Sequence, residues 1–426
     1  MDLIFSSCSG IDVHKKSVMV CALKAQKGRK ATKEVRLFGT MTRDLLALAD
    51  WLRQLKVTHV AMESTGVFWK PIYNLLEGEF EILLVNAHHI KQVPGRKTDV
   101  KDCEWIADLL QHGLLKASFV PPKPVRELRD LTRQRAEITD DKTKIANRIQ
   151  KVLEDANIKL SSVASDVLGA SGRDMIQAII AGEEDPANLA ELARRRLRGK
   201  IPELKFALQG TVNDHHRFML NLLFKQLQSL ESILDQLTCR IVEVMTREDA
   251  QPSEGVLPFQ ESVRLLETIP GIRTLAAQTI LPEIGTDMSQ FPTDGNLSSW
   301  AGISSGNNES AGKRRNAKTP KGNRWLRRIL VQVALAAGRT KDTYLGSQYR
   351  RFAARRGKNK AAVAVAHTIL VIIYHVLKTR KPYHELGADY FDRLDPERLT
   401  RKLVKRLESL GHKVTLEPAE KAMPAA

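Results

Sequence analysis

The chain of 426 residues sets 67 Lys and Arg against 49 Asp and Glu, a formal net charge of +18, and 42% of its residues are hydrophobic. That apolar share builds packed cores in two or three domains and excludes a disordered chain, while the basic surplus calls for a polyanionic partner, nucleic acid before an anionic membrane surface. Cys8, Cys21, Cys103 and Cys239 are far apart without a Cys-x-x-Cys spacing, which argues against a zinc ribbon or a disulfide framework and for reduced thiols. With no basic leader and no apolar run read as a membrane span, the expected location is cytoplasmic, with no membrane partner.

Residues 4–11 and 17–23 are β-rich runs flanking Asp12-Val13-His14-Lys15-Lys16, which predicts a hairpin with Asp12 where the first strand gives way to the turn. A third short strand is expected at 34–38, and 42–55 reads as an amphipathic helix with Leu45, Leu46, Leu48 and Leu52 inward. Residues 58–63 form a strand ending in Glu63, ahead of the turn Ser64-Thr65-Gly66. A helix about 69–76 and a buried strand at 81–86 follow. From Lys97 a charged opening containing Asp99 and Asp102 runs into Ile106, Leu109, Leu110 and Leu114, a helix with acids in its first turn. Strands in hairpins, then strands alternating with helices, predict a mixed α/β sheet domain over residues 1–120.

Asp99 and Asp102, three apart on a helix, project from one face, and crowded carboxylates repel unless cations lie between them. Alone, such a pair is explained as well by the positive end of a helix dipole. With Asp12 after the first strand and Glu63 at the end of the fourth, however, four carboxylates gather around one sheet edge. Such a set suits two Mg²⁺ ions, which take oxygen ligands and clamp the attacking and leaving oxygens of a phosphodiester. His14, Lys15 and Lys16 could touch phosphate there or form a solvated turn; His88, His89, His215 and His216 lack ligand spacing.

This layout resembles the ribonuclease-H-like (RuvC-like) fold of Holliday-junction resolvases. Gly10-Ile11-Asp12-Val13-His14-Lys15, Met62-Glu63-Ser64-Thr65-Gly66 and Lys97-Thr98-Asp99-Val100-Lys101-Asp102 resemble the Asp-Glu-Asp-Asp set of the IS110-family transposases. The resemblance implies that Asp12, Glu63, Asp99 and Asp102 are catalytic residues and metal ligands.

Pro121-Pro122-Lys123-Pro124 marks a domain boundary. Beyond it, residues 121–250 form a helical arm. Leu128, Leu131, Ile138, Ile145, Ile149 and Val152 keep a heptad rhythm, and Leu220, Leu223, Leu227, Leu230, Leu234, Leu237, Ile241 and Val244 alternate three and four apart. These spacings predict two long coiled-coil helices packed antiparallel, within one chain or between protomers, and hence a homo-oligomer, dimer or tetramer. The helical insert at about 155–210, with its basic turn Arg194-Arg195-Arg196-Leu197-Arg198, reads equally as a spacer or a phosphate-binding lobe.

Gln251-Pro252-Ser253-Glu254-Gly255 opens a C-terminal helical DNA-binding domain at 251–390, followed by a basic, partly helical tail at 391–426. Leu265-Leu266-Glu267-Thr268-Ile269-Pro270-Gly271-Ile272 and the helix after it, 274–281, resemble a helix-hairpin-helix, whose turn at Gly271 offers backbone N–H groups to phosphate. An ordinary helical corner is the plainer alternative. Lys313, Arg314, Arg315, Lys318, Lys321, Arg324, Arg327 and Arg328, then Arg350, Arg351, Arg355, Arg356, Lys358 and Lys360, are expected to face nucleic acid.

Residues 300–313 form a loop rich in Gly and Asn, with hydroxyls just before the cations. From chemistry alone Ser304, Ser305 and Ser310 are each candidates for binding phosphate. The loop also resembles the C-terminal domain of the IS110-family transposases, with Glu309-Ser310 ahead of a basic stretch and Trp325-Leu326-Arg327-Arg328. The match departs from the common pattern at Ser304-Ser305-Gly306. The resemblance implies that Ser310 is the nucleophile of a transposase acting on target and donor DNA, directed by a structured non-coding guide RNA. The alternatives are a RuvC-like junction nuclease that uses water on metal, and a non-catalytic nucleic-acid scaffold.

Overall fold

The computed structural model describes residues 3–26, 29–86, 102–250, 255–304, 308–310, 313–316 and 319–417. The chain divides into two compact units, Met1–Pro121 and Pro122–Ala426.

The first unit is a five-stranded mixed sheet. Its elements in order are β1 (Ser7–Val13), β2 (Ser17–Gln26), β3 (Arg29–Gly39), α1 (Thr42–Gln54), β4 (His59–Glu63), α2 (Trp69–Leu76), β5 (Glu81–Val85) and α3 (Asp102–Gln111). The strands lie in the order β3-β2-β1-β4-β5. β1 runs antiparallel to β2 and β2 to β3, while β1, β4 and β5 are mutually parallel. This arrangement is compatible with a ribonuclease-H-like domain. Both faces of the sheet are covered, as parallel pairing requires. Ile11, Val13, Val20, Val60 and Met62 pack with Leu48 and Leu52 of α1 and Ile72 and Leu76 of α2. Cys8, Cys21, Ala61 and Val85 on the other face pack with Cys103, Ile106 and Ala107 of α3. Burial pushes the Cys8 and Cys21 thiols up to about 12, so both stay protonated and act as small apolar groups.

The expected strand at 4–11 is displaced. The Ile4 and Phe5 N–H groups donate to the Gln111 carbonyl at the end of α3, and pairing with β2 begins only at Ser7. Asp12 therefore lies inside β1, opposite Met19, rather than after it. β3 is longer than the expected 34–38 because the whole β2–β3 ribbon stays hydrogen-bonded.

The second unit begins with two long helices, α4 (Lys123–Asp155) and, after a helical insert that includes α5 (Ala170–Ala181), α6 (Asp214–Asp249). At 33 and 36 residues each spans roughly 50 Å. They pack antiparallel within one chain. Glu127 faces Arg247 at one end, Lys142 faces Glu231 midway, and Asp155 meets His216 at the other. Leu220, Leu223 and Leu227 join Ile145, Ile149 and Leu153 in one core with Met175, Ile176 and Ile179 of the insert. Along the predicted seam, Leu230, Leu234 and Leu237 are only half-buried. There a cavity of about 280 Å³, lined by Leu234, Thr238, Leu275 and Trp325 among others, separates α6 from the helices that follow.

Those helices are α7 (Phe259–Glu267), α8 (Thr274–Ile284) and α9 (Asp294–Trp300), then the short strands β6 (Asn308–Ser310) and β7 (Lys313–Asn316), then α10 (Arg324–Arg339), α11 (Tyr344–Arg356), α12 (Lys358–Thr379) and α13 (Pro396–Ser409). α12 corrects the expectation on one point, since it is long and apolar enough to cross a membrane by length and composition. Its apolar side chains serve a protein core: Val365, Ile369, Leu370 and Ile373 are buried, and it packs against α9, α10 and α11. Such a helix, apolar nearly all round, is what the centre of a helical domain requires.

Candidate active site

In the first unit the sheet register brings two of the predicted acids together. Ile11 of β1 is level with Met62 of the parallel strand β4, so Asp12 and Glu63, one residue further along, stand side by side at the carboxyl ends of neighbouring strands. Ile11 and Met62 both point into the core shared with α1 and α2, so strand alternation sends Asp12 and Glu63 to the opposite face, the one α3 covers. α3 opens on Asp102.

Gly10 fixes how close that helix comes. A Cβ there would lie 2.3 Å from the Cys103 carbonyl oxygen and 2.4 Å from the Ala107 nitrogen, so backbone meets backbone. Cys8 Sγ lies 3.7 Å from the Ala107 oxygen. α3 thus runs with its first turn over Gly10 and its middle toward Cys8, which puts the Asp102 end nearest Asp12. The motif around Asp12 contains Gly10, but the sequence alone does not reveal its partner; the signal was a glycine inside a strand.

Asp12 is largely buried and its carboxylate lies 3.1 Å from His14 Nε2, so His14 belongs to this corner. Asp102 is exposed and Glu63 half-buried. Asp99 lies outside the described residues, and among those described no three His, Cys, Asp or Glu side chains are grouped closely enough to hold a metal ion. The donor chemistry, carboxylate oxygens alone, suits a hard divalent cation.

The second candidate is the serine loop. β6 and β7 pair antiparallel with Ser310 opposite Lys313 and Glu309 opposite Arg314. Arg315 lies in β7, while Ser305 and Lys318 fall outside the described residues. The Ser304 N–H is directed at the Ser298 carbonyl. The two ends of the loop meet at glycines. Gly302 has φ +70°, and a Cβ on it would lie 2.7 Å from the Gly322 backbone; a Cβ on Gly322 would lie 2.4 Å from the Gly302 nitrogen. Asn323 then caps α10, accepting from the Trp325 and Leu326 N–H groups.

The expected nucleic-acid residues divide by what they already touch. Arg328 makes a two-pronged ion pair with Asp140 of α4, which holds the Asp140 carboxyl below its usual range. Arg327 donates to the Gly302 carbonyl. Arg324 lies over the Trp325 ring at 4.5 Å. Lys321 is exposed. Arg355, Arg356, Lys358 and Lys360 are exposed and make no ion pair among the described residues. Gly271, at φ +92°, lies in the turn between α7 and α8, where a Cβ would strike the backbone of α10 at Val333 and Ala337. The glycine is thus required by packing inside the domain as well as by the turn.

With this geometry in place, comparison with known proteins agrees with the sequence resemblance. Residues 9–158 match the DEDD family model described as Transposase, and residues 263–350 match the model described as Transposase IS116/IS110/IS902 family. The transposase for insertion sequence element IS1111A of Coxiella burnetii is 23% identical over 400 residues, covering 85% of this chain and 95% of that protein. A Streptomyces clavuligerus protein named as the insertion element IS116 uncharacterized 44.8 kDa protein is 24% identical over 326 residues, 70% of this chain and 79% of its own. Fold and matches together define an insertion-sequence transposase, an enzyme class that cuts and rejoins DNA. The chain belongs to the IS110 family of transposases.

Proposed function

We propose that this transposase cuts and rejoins DNA strands with Mg²⁺ held by Asp12, Glu63, Asp99 and Asp102 and with Ser310 as nucleophile, directed by a structured non-coding RNA and working as a homo-oligomer. The observation that carries the reading is the register that sets Asp12 beside Glu63 on the face where α3 opens with Asp102. A pair of divalent cations held by such carboxylates would supply Lewis acidity toward a phosphodiester.

The chain's own groups account for the rest. The Ser310 oxygen forms a bond to phosphorus as the bond from phosphorus to the leaving deoxyribose oxygen breaks, and the serine proton passes to a carboxylate or to that leaving oxygen. The phosphoester so formed conserves the bond energy for rejoining. A serine hydroxyl is a weak nucleophile near neutral pH, so the hairpin has to work beside the carboxylates, in its own chain or in a second protomer. Lys313, Arg314 and Arg315 then face the DNA backbone as charge builds on the phosphate.

Denaturing gels of cleavage reactions on labelled DNA test this. Wild type is expected to give a protein–DNA adduct that Ser310→Ala abolishes and Ser304→Ala retains. An adduct formed equally well by Ser310→Ala refutes the assignment. Cleavage without any adduct in either protein favours the water-using nuclease, and binding without cleavage favours the scaffold.

A further inference from the structure

Among the described residues, the least exposed charged group in the second unit is a carboxylate bonded to Asn323, just after the loop that carries Ser310. Glu283, 1% exposed near the end of α8, accepts from Arg133 Nε at 2.7 Å and Nη2 at 2.8 Å. Its second oxygen also accepts from the Asn323 side-chain amide at 2.6 Å. Arg129 lies 3.5 Å from the same carboxylate and donates to the Pro282 and Glu283 carbonyls at 3.0 and 2.8 Å. Burial pulls the Arg129 guanidinium down to about 10, opposed by Glu283, so it remains charged near neutral pH.

Of these contacts, the one from Asn323 reaches the end of the loop, and those from Arg129 and Arg133 reach the arm. Asn323 follows Gly322 directly, Gly322 rests on Gly302, and Arg327, one turn along α10, donates to the Gly302 carbonyl. Arg129 and Arg133 belong to the first turns of α4, the root of the arm. One carboxylate therefore ties both ends of the Ser310 loop to the arm. Neither packing nor solubility requires a carboxylate in the apolar run Ile280-Leu281-Pro282-Glu283-Ile284, and burying one costs stability unless its partners are fixed.

We infer that Glu283 is a positioning residue for the Ser310 hairpin, latching the base of the loop to the root of the helical arm through Asn323, Arg129 and Arg133. The inference rests on the reading that Ser310 reacts with DNA. The arm's root and the nucleophile's loop then share one charged anchor, and displacement of α4 is transmitted to the base of the hairpin.

Asn323→Asp keeps the cap on α10 but sets a second carboxylate against Glu283 and removes the amide donor. Glu283→Gln combined with Asn323→Asp exchanges the two groups, restoring an amide-to-carboxylate hydrogen bond with the net charge unchanged. Two readouts are taken on the full chain. The first is the single-turnover rate of adduct formation with DNA affinity measured alongside; the second is the rate of trypsin cleavage at Lys313, Arg314 and Arg315. Asn323→Asp is expected to slow adduct formation by about tenfold or more at unchanged DNA affinity, as small misplacements of a reacting group do, and to speed tryptic cleavage. The double variant is expected to recover most of both. A wild-type rate in Asn323→Asp, or a double variant no better than Asn323→Asp alone, overturns the latch. So does a tryptic rate equal in all proteins. If wild type forms no adduct, the serine reading fails by itself, and the tryptic rates still decide whether Glu283 anchors the loop.

Discussion

Replacing Gly10 by Ala tests the link between sheet packing and catalysis, because the glycine sets the distance between β1 and α3. The new Cβ would stand 2.3 Å from the Cys103 oxygen and 2.4 Å from the Ala107 nitrogen, where real Cβ contacts lie beyond 3.0 Å. Both obstacles are backbone, so no side chain can swing aside and α3 has to move outward by about 1 Å. Forcing a methyl into such a contact costs about 1–3 kcal/mol. The same shift carries Asp102 away from Asp12 and Glu63, and a displacement of about 1 Å in a reacting assembly can lower a rate on the order of a hundredfold. Urea unfolding followed by the near-ultraviolet signal, to which Trp51, Trp69 and Trp105 of this unit contribute, reads the first effect, and cleavage of labelled DNA in Mg²⁺ reads the second. DNA affinity should be unchanged. Wild-type stability and wild-type cleavage in Gly10→Ala would refute the placement of α3 over β1.

Asp12→Asn and Asp99→Asn are each expected to abolish cleavage while leaving DNA binding nearly intact, since an amide holds Mg²⁺ poorly but preserves shape; undiminished cleavage by both removes the metal site. Leu227→Ala deletes a fully buried side chain from the core of the arm. It should cost about 2–5 kcal/mol in urea unfolding, and a change below about 0.5 kcal/mol would deny the seam within the chain. Glu231 is held down at about 2 from an ordinary 4.5, first by its hydrogen bond to Arg173 and then by Lys142. Its folded value lies below its unfolded one, so its stabilisation is complete above about pH 5 and is lost as pH falls from 4.5 toward 2. Glu231→Gln should flatten stability against pH over that window, and an unchanged slope rejects the triad.

The first unit was legible because its signals are local. Strand alternation and the amphipathic spacing of Leu45, Leu48 and Leu52 are read within a few residues and the fold agrees with them, but Leu46, expected inward, is 49% exposed, and Asp12 stands inside β1 rather than after it. The two long helices α4 and α6 were equally plain, though Leu131, Ile138, Leu230, Leu234 and Leu237 of the expected seam are only half-buried, and the fold shows the two helices packed within one chain. Gly10 and Glu283 stayed unread because their meaning lies in partners far along the chain: Cys103 and Ala107 for the first, Arg133 and Asn323 for the second. A strand glycine and an acid in an apolar helix signal that something approaches, not what. The beginning of β1 was misplaced for a related reason, since Ile4 and Phe5 are β-formers whose backbone is claimed by the end of α3.

The cations show the same division between what a sequence counts and what a fold assigns. Arg328 and Arg327 stand in the densest basic run, yet one pairs with Asp140 across to α4 and the other holds the Gly302 carbonyl. Arg355, Arg356, Lys358 and Lys360, where α11 passes into α12, have no ion pair among the described residues. A cation spent on an internal carboxylate releases no counterions when nucleic acid binds, whereas an unspent one does, by about 0.9 in the slope of log affinity against log salt per phosphate on duplex DNA. Replacing these four residues by Ala should therefore lower the salt slope for DNA, or for RNA carried by the purified protein, by as much as that value for each phosphate no longer neutralised. Arg328→Ala should instead loosen α10 from α4, seen as a lower unfolding midpoint, and leave the slope alone. The reverse pattern, a slope reduced by Arg328→Ala and unmoved by the fourfold variant, would place the nucleic acid on the basic run of α10 and show that the Asp140 pair opens to receive it.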